Sequence, residues 1–516
     1  MQGDKPFEPK AFYQVNLDDL VPQDNYYRLL NRELDLRWVR KETKKYYGRD
    51  GQKSIDPIVF VKLLLVGYLN SIDSDRRLIE HCSNRLDIRL YLGYDIDEAL
   101  PWHSTISRTR QLWGEDVFVE LFRKVLGMCV QKGLVRGKRQ AMDAAPMKAN
   151  ASMDSLMEKE VMDDGEQYAD ELDAGSEHKV DRKRKDMVDQ HHAWKKKAFE
   201  GQPGSKLPQR DDPEHQIRGR FLSNHTHYSP TDPDSRISVK PGKARQLNFH
   251  CQLSVDDGDH VITGAMAQTA DLRDSQALPA LVDHTLENLQ EHGIEVEQVL
   301  ADTGYSSGEA LKHCEARGLE AYIPNFGKYK PEREGFVYNE KEDRYECQRG
   351  NRAHLPFKRE VTNAKGNVAR VFRTSSKDCK TCPLRAECVG KTAYKVITES
   401  IDKPYYDAMH QRLNTKYAKR LMKRRSSTVE PVLGTLVNFT NMRRVNTRGL
   451  ASANKHVLMA ALTYNLKKYM KKPWNNRKTV SLSMAIPQID LAQGILAFFE
   501  ALCGLNALPK GPAVTF

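Results

Sequence analysis

Three acids in this chain stand where carboxylates could act on a phosphodiester. The stretch KRQAMDAAP reads as a short strand, and Asp143 ends it. Asp302 ends the strand-like VLADTG, where a glycine-bearing turn exposes it. Glu430 lies in RRSSTVEPVLGTLVNF, on a helical segment after an insertion. From Asn414 to Arg448 there are nine Lys or Arg side chains, and Glu430 is the one carboxylate. Hard oxygen ligands suit Mg²⁺ or Mn²⁺. Two such ions held ~3.5–4 Å apart by carboxylates can activate water and stabilise the leaving oxygen of a phosphodiester, or activate a 3′-hydroxyl. That chemistry needs no serine, cysteine or histidine nucleophile.

Each acid also has a plainer reading. Asp143 and Asp302 could be turn residues at strand ends. Ser427-x-x-Glu430 matches a helix capping box. Pro431 speaks against that box, because it would fall at the fourth helical residue, where a backbone N–H is needed.

A second constellation is made of thiols. Four of the nine cysteines fall in one stretch: Cys347 in YEC, and Cys379, Cys382 and Cys388 in DCKTCPLRAEC. A C-x2-C pair with two further thiolates can complete a tetrahedral Zn²⁺ site, with His354 as a substitute for Cys347. A structural zinc would explain how a polar insertion folds. The plainer reading is a set of ordinary thiols. The other five cysteines are scattered and read as small buried apolar residues, which fits a reducing, cytosolic compartment.

The elements that must position these groups can be read in outline. Residues 1–130 are expected to form an all-α domain, with helices between 15 and 130. DPIVFVKLLLVGYLNS starts a helix at Asp56-Pro57. PWHSTISRTRQLWG starts another at a Ser104 or Thr105 cap and carries Arg108 and Arg110. Short helices with tight turns suit a helix-turn-helix-like DNA-binding unit, or plain helical packing. An α/β core is expected over 131–325 and 396–472. Within it come a hairpin around Asp256-Asp257-Gly258, a helix ending at Gly293 and a helix capped by Ser306 or Ser307. Residues 152–235 form a charged insertion, read as solvated or as a basic arm along DNA. Residues 326–395 hold the cysteine cluster, and 473–516 form a tail with a short apolar helix.

The chain has 516 residues and a net charge of +12. That balance favours a polyanionic partner, nucleic acid first. No run of ~18 apolar residues suggests a membrane span, and the first residues lack the apolar region of a signal peptide.

MDAAPMKANAS, VLADTGYSSGEAL and TVEPVLGTL resemble the three acid blocks of bacterial insertion-sequence DDE transposases, and most closely the type named eleven-eighty-two. PQDNYYRLLNRELDL, SPTDPDSR, RGL and TYNLKK resemble other segments of that family, so the likeness spans about residues 10 to 470. It implies an RNase H-like mixed sheet flanked by helices, with Asp143, Asp302 and Glu430 as catalytic ligands of two Mg²⁺ or Mn²⁺ ions. It further implies binding of terminal inverted repeats, cleavage of the transposon ends and 3′-hydroxyl attack on double-stranded target DNA, by a homodimer or larger assembly near the nucleoid. Lys423, Arg424, Arg425, Arg443, Arg444 and Arg448 join Arg108 and Arg110 as DNA-binding candidates. Arg425 matches the family's arginine five residues before the acid. Val437 departs from it, where a basic residue is usual, and Leu433 stands where Phe is common.

Overall fold

The computed structural model describes residues 16–48, 54–158, 224, 227–238, 246–327, 329–363 and 366–472. Most of the charged arm, 159–223, and the tail from 473 onward lie outside the described residues.

Eight helices come first: α1 (Leu17–Leu20), α2 (Tyr26–Glu33), α3 (Trp38–Thr43), α4 (Pro57–Leu69), α5 (Asp75–Ser83), α6 (Leu86–Leu92), α7 (His103–Leu112) and α8 (Glu115–Gln131). Their starts follow local chemistry. Asp56 accepts from the Ile58 N–H at 2.8 Å, and Pro57 fills the first helical position, where no donor is needed. Helix α4 is apolar on nearly every face and buries Phe60, Val61 and Leu63 through Val66, as a central helix must. Helix α7 starts at His103, preceded by Trp102, so neither Ser104 nor Thr105 caps it.

The first sheet begins with β1 (Arg139–Lys148). A two-stranded ribbon, β2 (Met157–Glu158) with β3 (His227–Tyr228), stands apart from it. Then come β4 (Arg236–Ser238), β5 (Gln246–Asp256), β6 (Ile262–Thr269), α9 (Asp274–Gln290), β7 (Gln298–Leu300), α10 (Gly308–Ala316) and β8 (Glu320–Tyr322). The order is β4-β5-β1-β7-β8, with β6 also on β5. β5 runs antiparallel to β1 and β6, while β7 and β8 run parallel to β1. The expected hairpin joins β5 to β6, and Ser307 is the cap of α10.

One strand end was misread. Asp143 lies in the middle of β1, which continues through Pro146 to Lys148. β7 pairs with β1 only over Arg139–Ala141. Beyond that point one side of β1 is open to other partners, so the missing N–H of Pro146 breaks no ladder bond.

A second, antiparallel sheet follows, in the order β13-β12-β11-β10-β9. It is built from β9 (Phe336–Asn339), β10 (Arg344–Cys347), β11 (His354–Thr362), β12 (Val368–Arg373) and β13 (Val396–Ser400). Between the last two lie the short helices α11 (Ser376–Lys380) and α12 (Arg385–Cys388). Its last strand carries the insertion to Ser400.

Three helices complete the described chain: α13 (Lys403–Leu413), α14 (Lys416–Phe439) and α15 (Leu450–Lys471). Thr415 caps α14 through Oγ1 to the Ala418 N–H at 3.1 Å, so Glu430 is in mid-helix and no capping box exists there. Pro431 also lies inside α14. Helix α15 is buried along most of its length and packs on α4, α8 and β6. One apolar core therefore runs from Tyr27 in the first helices through Phe249 in the sheet to Tyr469. Each fully buried Leu or Phe there stabilises by ~1.5–3 kcal/mol.

Candidate active site

Strand β1 brings Asp143 beneath helix α14. Its Oδ1 accepts from the Ala144 N–H at 2.8 Å, and its Oδ2 from Nη1 of Arg425 at 3.1 Å. The other terminal nitrogen of Arg425, Nη2, stands 3.5 Å from Oε1 of Glu430. Burial pushes the Asp143 carboxyl above its usual range. The neighbouring Asp302 charge adds to that, while the Ala144 N–H and Arg425 oppose it. Asp302 starts a 3₁₀ turn just past β7, where its Oδ1 accepts from the Gly304 N–H at 2.9 Å. Asp143 thus neighbours Glu430, through Arg425, and also Asp302.

A fourth carboxylate, missed in the sequence, faces the same place. A Cβ added to Gly304 would lie 3.1 Å from Oδ1 of Asp302 and 3.3 Å from Oδ2 of Asp274. Two carboxylates therefore flank one glycine. Oδ1 of Asp274 accepts from Gln252 Nε2 at 2.9 Å, and Gln252 Oε1 accepts from the buried hydroxyl of Tyr305. Burial, then the charges of Asp274, Asp143 and Asp302, push that hydroxyl well above its ordinary pKa. In the sequence, Asp274 shows only as an acid in the first turn of a helix, where the helix dipole alone would favour it.

The carboxylate oxygens of Asp143, Asp302 and Glu430 are of the right chemistry for Mg²⁺ or Mn²⁺. No three His, Cys, Asp or Glu side chains among the described residues are grouped to hold a metal. At Asp143 the Arg425 guanidinium reaches both that acid and Glu430.

The expected zinc site finds no support: Cys347, Cys379, Cys382 and Cys388 are free thiols and form no metal-holding group among the described residues. Cys347 Sγ donates to the Arg349 carbonyl at 2.9 Å, and Cys379 is buried against Thr374 Oγ1 at 3.2 Å. The insertion folds by other means. Its sheet has its own core of Tyr345, Leu355, Phe372 and Ile397, with ring contacts at 5.1 Å between Tyr345 and Phe372.

The basic candidates divide. Arg110 is turned inward and grips Asp75 with two bonds, 2.7 and 3.0 Å, so it ties α7 to α5 and is not free for DNA. Arg108 is exposed on the same helix. Arg424 is held by Asp257 at 2.7 Å, and Arg425 by the acids. Lys423 and Arg448 are exposed and unpaired by acids among the described residues, while Arg444 bonds Asn150 at 3.0 Å. Arg443 donates to Asn438 at 3.0 Å, which sets its charge beside Val437. A cleft of about 1210 Å³ lies away from the acids, on the second sheet, between Tyr345, Phe372, Arg333, Arg370 and Lys403.

The loop after α14 is fixed by the helical segment. Asn441 donates to the Ile72 carbonyl at 2.9 Å, and its own carbonyl bonds Nε2 of His456 at 3.1 Å. Among the described residues no helix is long and apolar enough to cross a membrane.

Two families match this chain. Residues 15–112 match a family described as a transposase domain (DUF772). Residues 346–470, which include Glu430, match a family described as a transposase DDE domain. Both matched segments are of the transposase kind, and together they support a DDE transposase of the insertion-sequence type. No curated protein sequence matches it. A cryo-EM structure of a piggyBac transposase synaptic complex with hairpin DNA overlaps 94% of this chain and 84% of that one, at 9% identity and a TM-score of 0.22, a score too low to show a shared fold.

Proposed function

We propose that the chain binds the inverted repeats at the ends of its element, cleaves the DNA there and joins the freed 3′-hydroxyls to target DNA, with Asp143, Asp302 and Glu430 as the reacting acids. The observation that supports this reading is the place of Asp143, which shares Arg425 with Glu430 and feels the charge of Asp302. The sheet order, with one antiparallel arm and two parallel strands beside β1, supports an RNase H-like core. The type named eleven-eighty-two rests on the three acid blocks.

Exposed Arg108, Lys423 and Arg448 are suited to hold phosphates, which gives affinity without sequence choice. Arg443 stands in for the basic residue missing at Val437. Double-stranded DNA and a second copy of the chain are the expected partners, because two ends must be brought together. The resemblance assigns Mg²⁺ or Mn²⁺ to the acids, whereas the side chains are set here around a guanidinium.

The test is end cleavage on labelled duplexes carrying the terminal repeats. Asp143→Asn, Asp302→Asn and Glu430→Gln should each abolish cleavage and strand joining while DNA binding persists. Full cleavage by any one of them removes that residue from the site. Binding without cleavage by the unaltered chain would favour a DNA-binding protein derived from a transposase, and cleavage without joining a nuclease.

A further inference from the structure

Arg425 makes an unusual ion pair. Its side chain is only 10% exposed. A guanidinium settled on one carboxylate binds it with two parallel bonds, as Arg110 does on Asp75 in this same chain. Arg425 instead divides itself. One nitrogen meets Asp143 at 3.1 Å, and the other reaches Glu430 at 3.5 Å and Ser426 Oγ at 3.3 Å. Its Nε is buried and has no hydrogen-bond partner among the described residues. Arginine cannot shed its charge to relieve this. Around it stand Asp143, Glu430 and, beside Asp143, Asp302. The acids outnumber the cation.

We propose that Arg425 is a resident counter-ion occupying the gap between Asp143 and Glu430, so that it and a divalent cation exclude one another, and that a DNA phosphate draws it away. The proposal rests on the function reading above only in taking these acids as the ion site. The guanidinium fork matches a phosphate better than it matches two separate carboxylates, and a phosphate would leave the acids free. By linkage, DNA and the ion would then each strengthen binding of the other by one common factor. The unaccommodated Nε is what a poised, replaceable contact would show. A purely structural pair would be expected to satisfy it.

The test is Mn²⁺ binding to the full chain, followed by the loss of the free-ion EPR signal, with no turnover involved. The unaltered chain should bind Mn²⁺ weakly alone and at least tenfold more tightly with a terminal-repeat duplex. Arg425→Gln should bind it at least tenfold more tightly without DNA and gain little when DNA is added. Arg425→Lys, which keeps the charge but cannot span both acids, should gain several-fold and covers the case in which the glutamine variant fails to fold. Arg139→Gln removes a charge on β1, the strand that carries Asp143, and should change affinity by less than twofold. Unchanged or weaker Mn²⁺ binding in the Arg425 variants overturns the proposal. A separate arm tests the site itself: Asp143→Asn should abolish tight binding in the Arg425→Gln background, and if it does not, the acids are not the ion site.

Discussion

The hydroxyl of Tyr68 hydrogen-bonds Nδ1 of His456 at 2.7 Å, joining α4 to α15 across 388 residues of sequence. The other ring nitrogen faces the Asn441 carbonyl, an acceptor, so Nε2 carries the proton and Nδ1 accepts. The ring is buried and neutral, and burial lowers its pKa from 6.5 to about 4. It is the joint between the helical segment, the loop after the Glu430 helix and the core. Its titration is therefore a stability switch. The folded pKa lies below the unfolded one, so the contribution is full above pH 6.5 and is lost as pH falls through about 4. A shift of that size corresponds to about 3 kcal/mol. Urea unfolding of the full chain between pH 7 and 4 should show a steeper loss of stability than the His456→Gln variant does. Parallel curves for the two would refute the assignment.

Asp274 offers a second prediction. Asparagine keeps the shape and can still accept from Gln252, so Asp274→Asn should unfold within ~0.5 kcal/mol of the unaltered chain. What it loses is the negative charge facing Asp302 across Gly304. If that charge belongs to the reacting site, end cleavage should fall at least about tenfold, equivalent to ~1.4 kcal/mol of barrier. Cleavage at the original rate would reduce Asp274 to a helix-terminus acid.

The fold was legible in the sequence where its causes are local. Asp56-Pro57 carries its own cap and start signal, and Asp256-Asp257-Gly258 its own turn. The three acids were legible because each sits in a short block with recognisable flanks. What could not be read depends on partners distant in the chain. Nothing near Asp143 tells that β7 stops pairing with its side of β1 before Pro146, while β5 still pairs on the other side. Arg110 looks like any helix-surface arginine until Asp75, 35 residues earlier, is seen to face it. Asp274 and Asp302 meet only through the Gly304 turn. The apolar core of the insertion was hidden for a related reason: Tyr345 and Phe372 lie on different strands and leave no local mark.

The core of Tyr345, Leu355, Phe372 and Ile397 predicts that the insertion folds without a metal. Zinc analysis of freshly purified protein should give far less than one ion per chain, and a chelator should leave the melting temperature unchanged. Cys382 and Cys388 are half-buried free thiols. Serine at both should cost less than ~1 kcal/mol. A stoichiometric zinc, or collapse of the double variant, would restore the metal-site reading.

The two arginines of α7 should separate folding from binding. Arg110 and Asp75 form a two-bond pair that is mostly buried. Removing one partner of a buried pair strands the other, which costs about 3 kcal/mol for a pair still partly reached by water. Arg110→Ala should therefore lower stability by roughly that amount, and its effect on DNA binding should vanish once measured at a temperature where the variant is folded. Arg108 is exposed on the same helix. Arg108→Ala should leave stability within ~0.5 kcal/mol. If α7 lies on the DNA backbone, it should weaken binding and flatten the salt dependence by about one phosphate contact. Salt titrations of the two variants on one duplex decide the matter. An unchanged slope for Arg108→Ala would take α7 off the DNA and leave the helical segment as a support that packs α15 and holds the loop beyond Glu430.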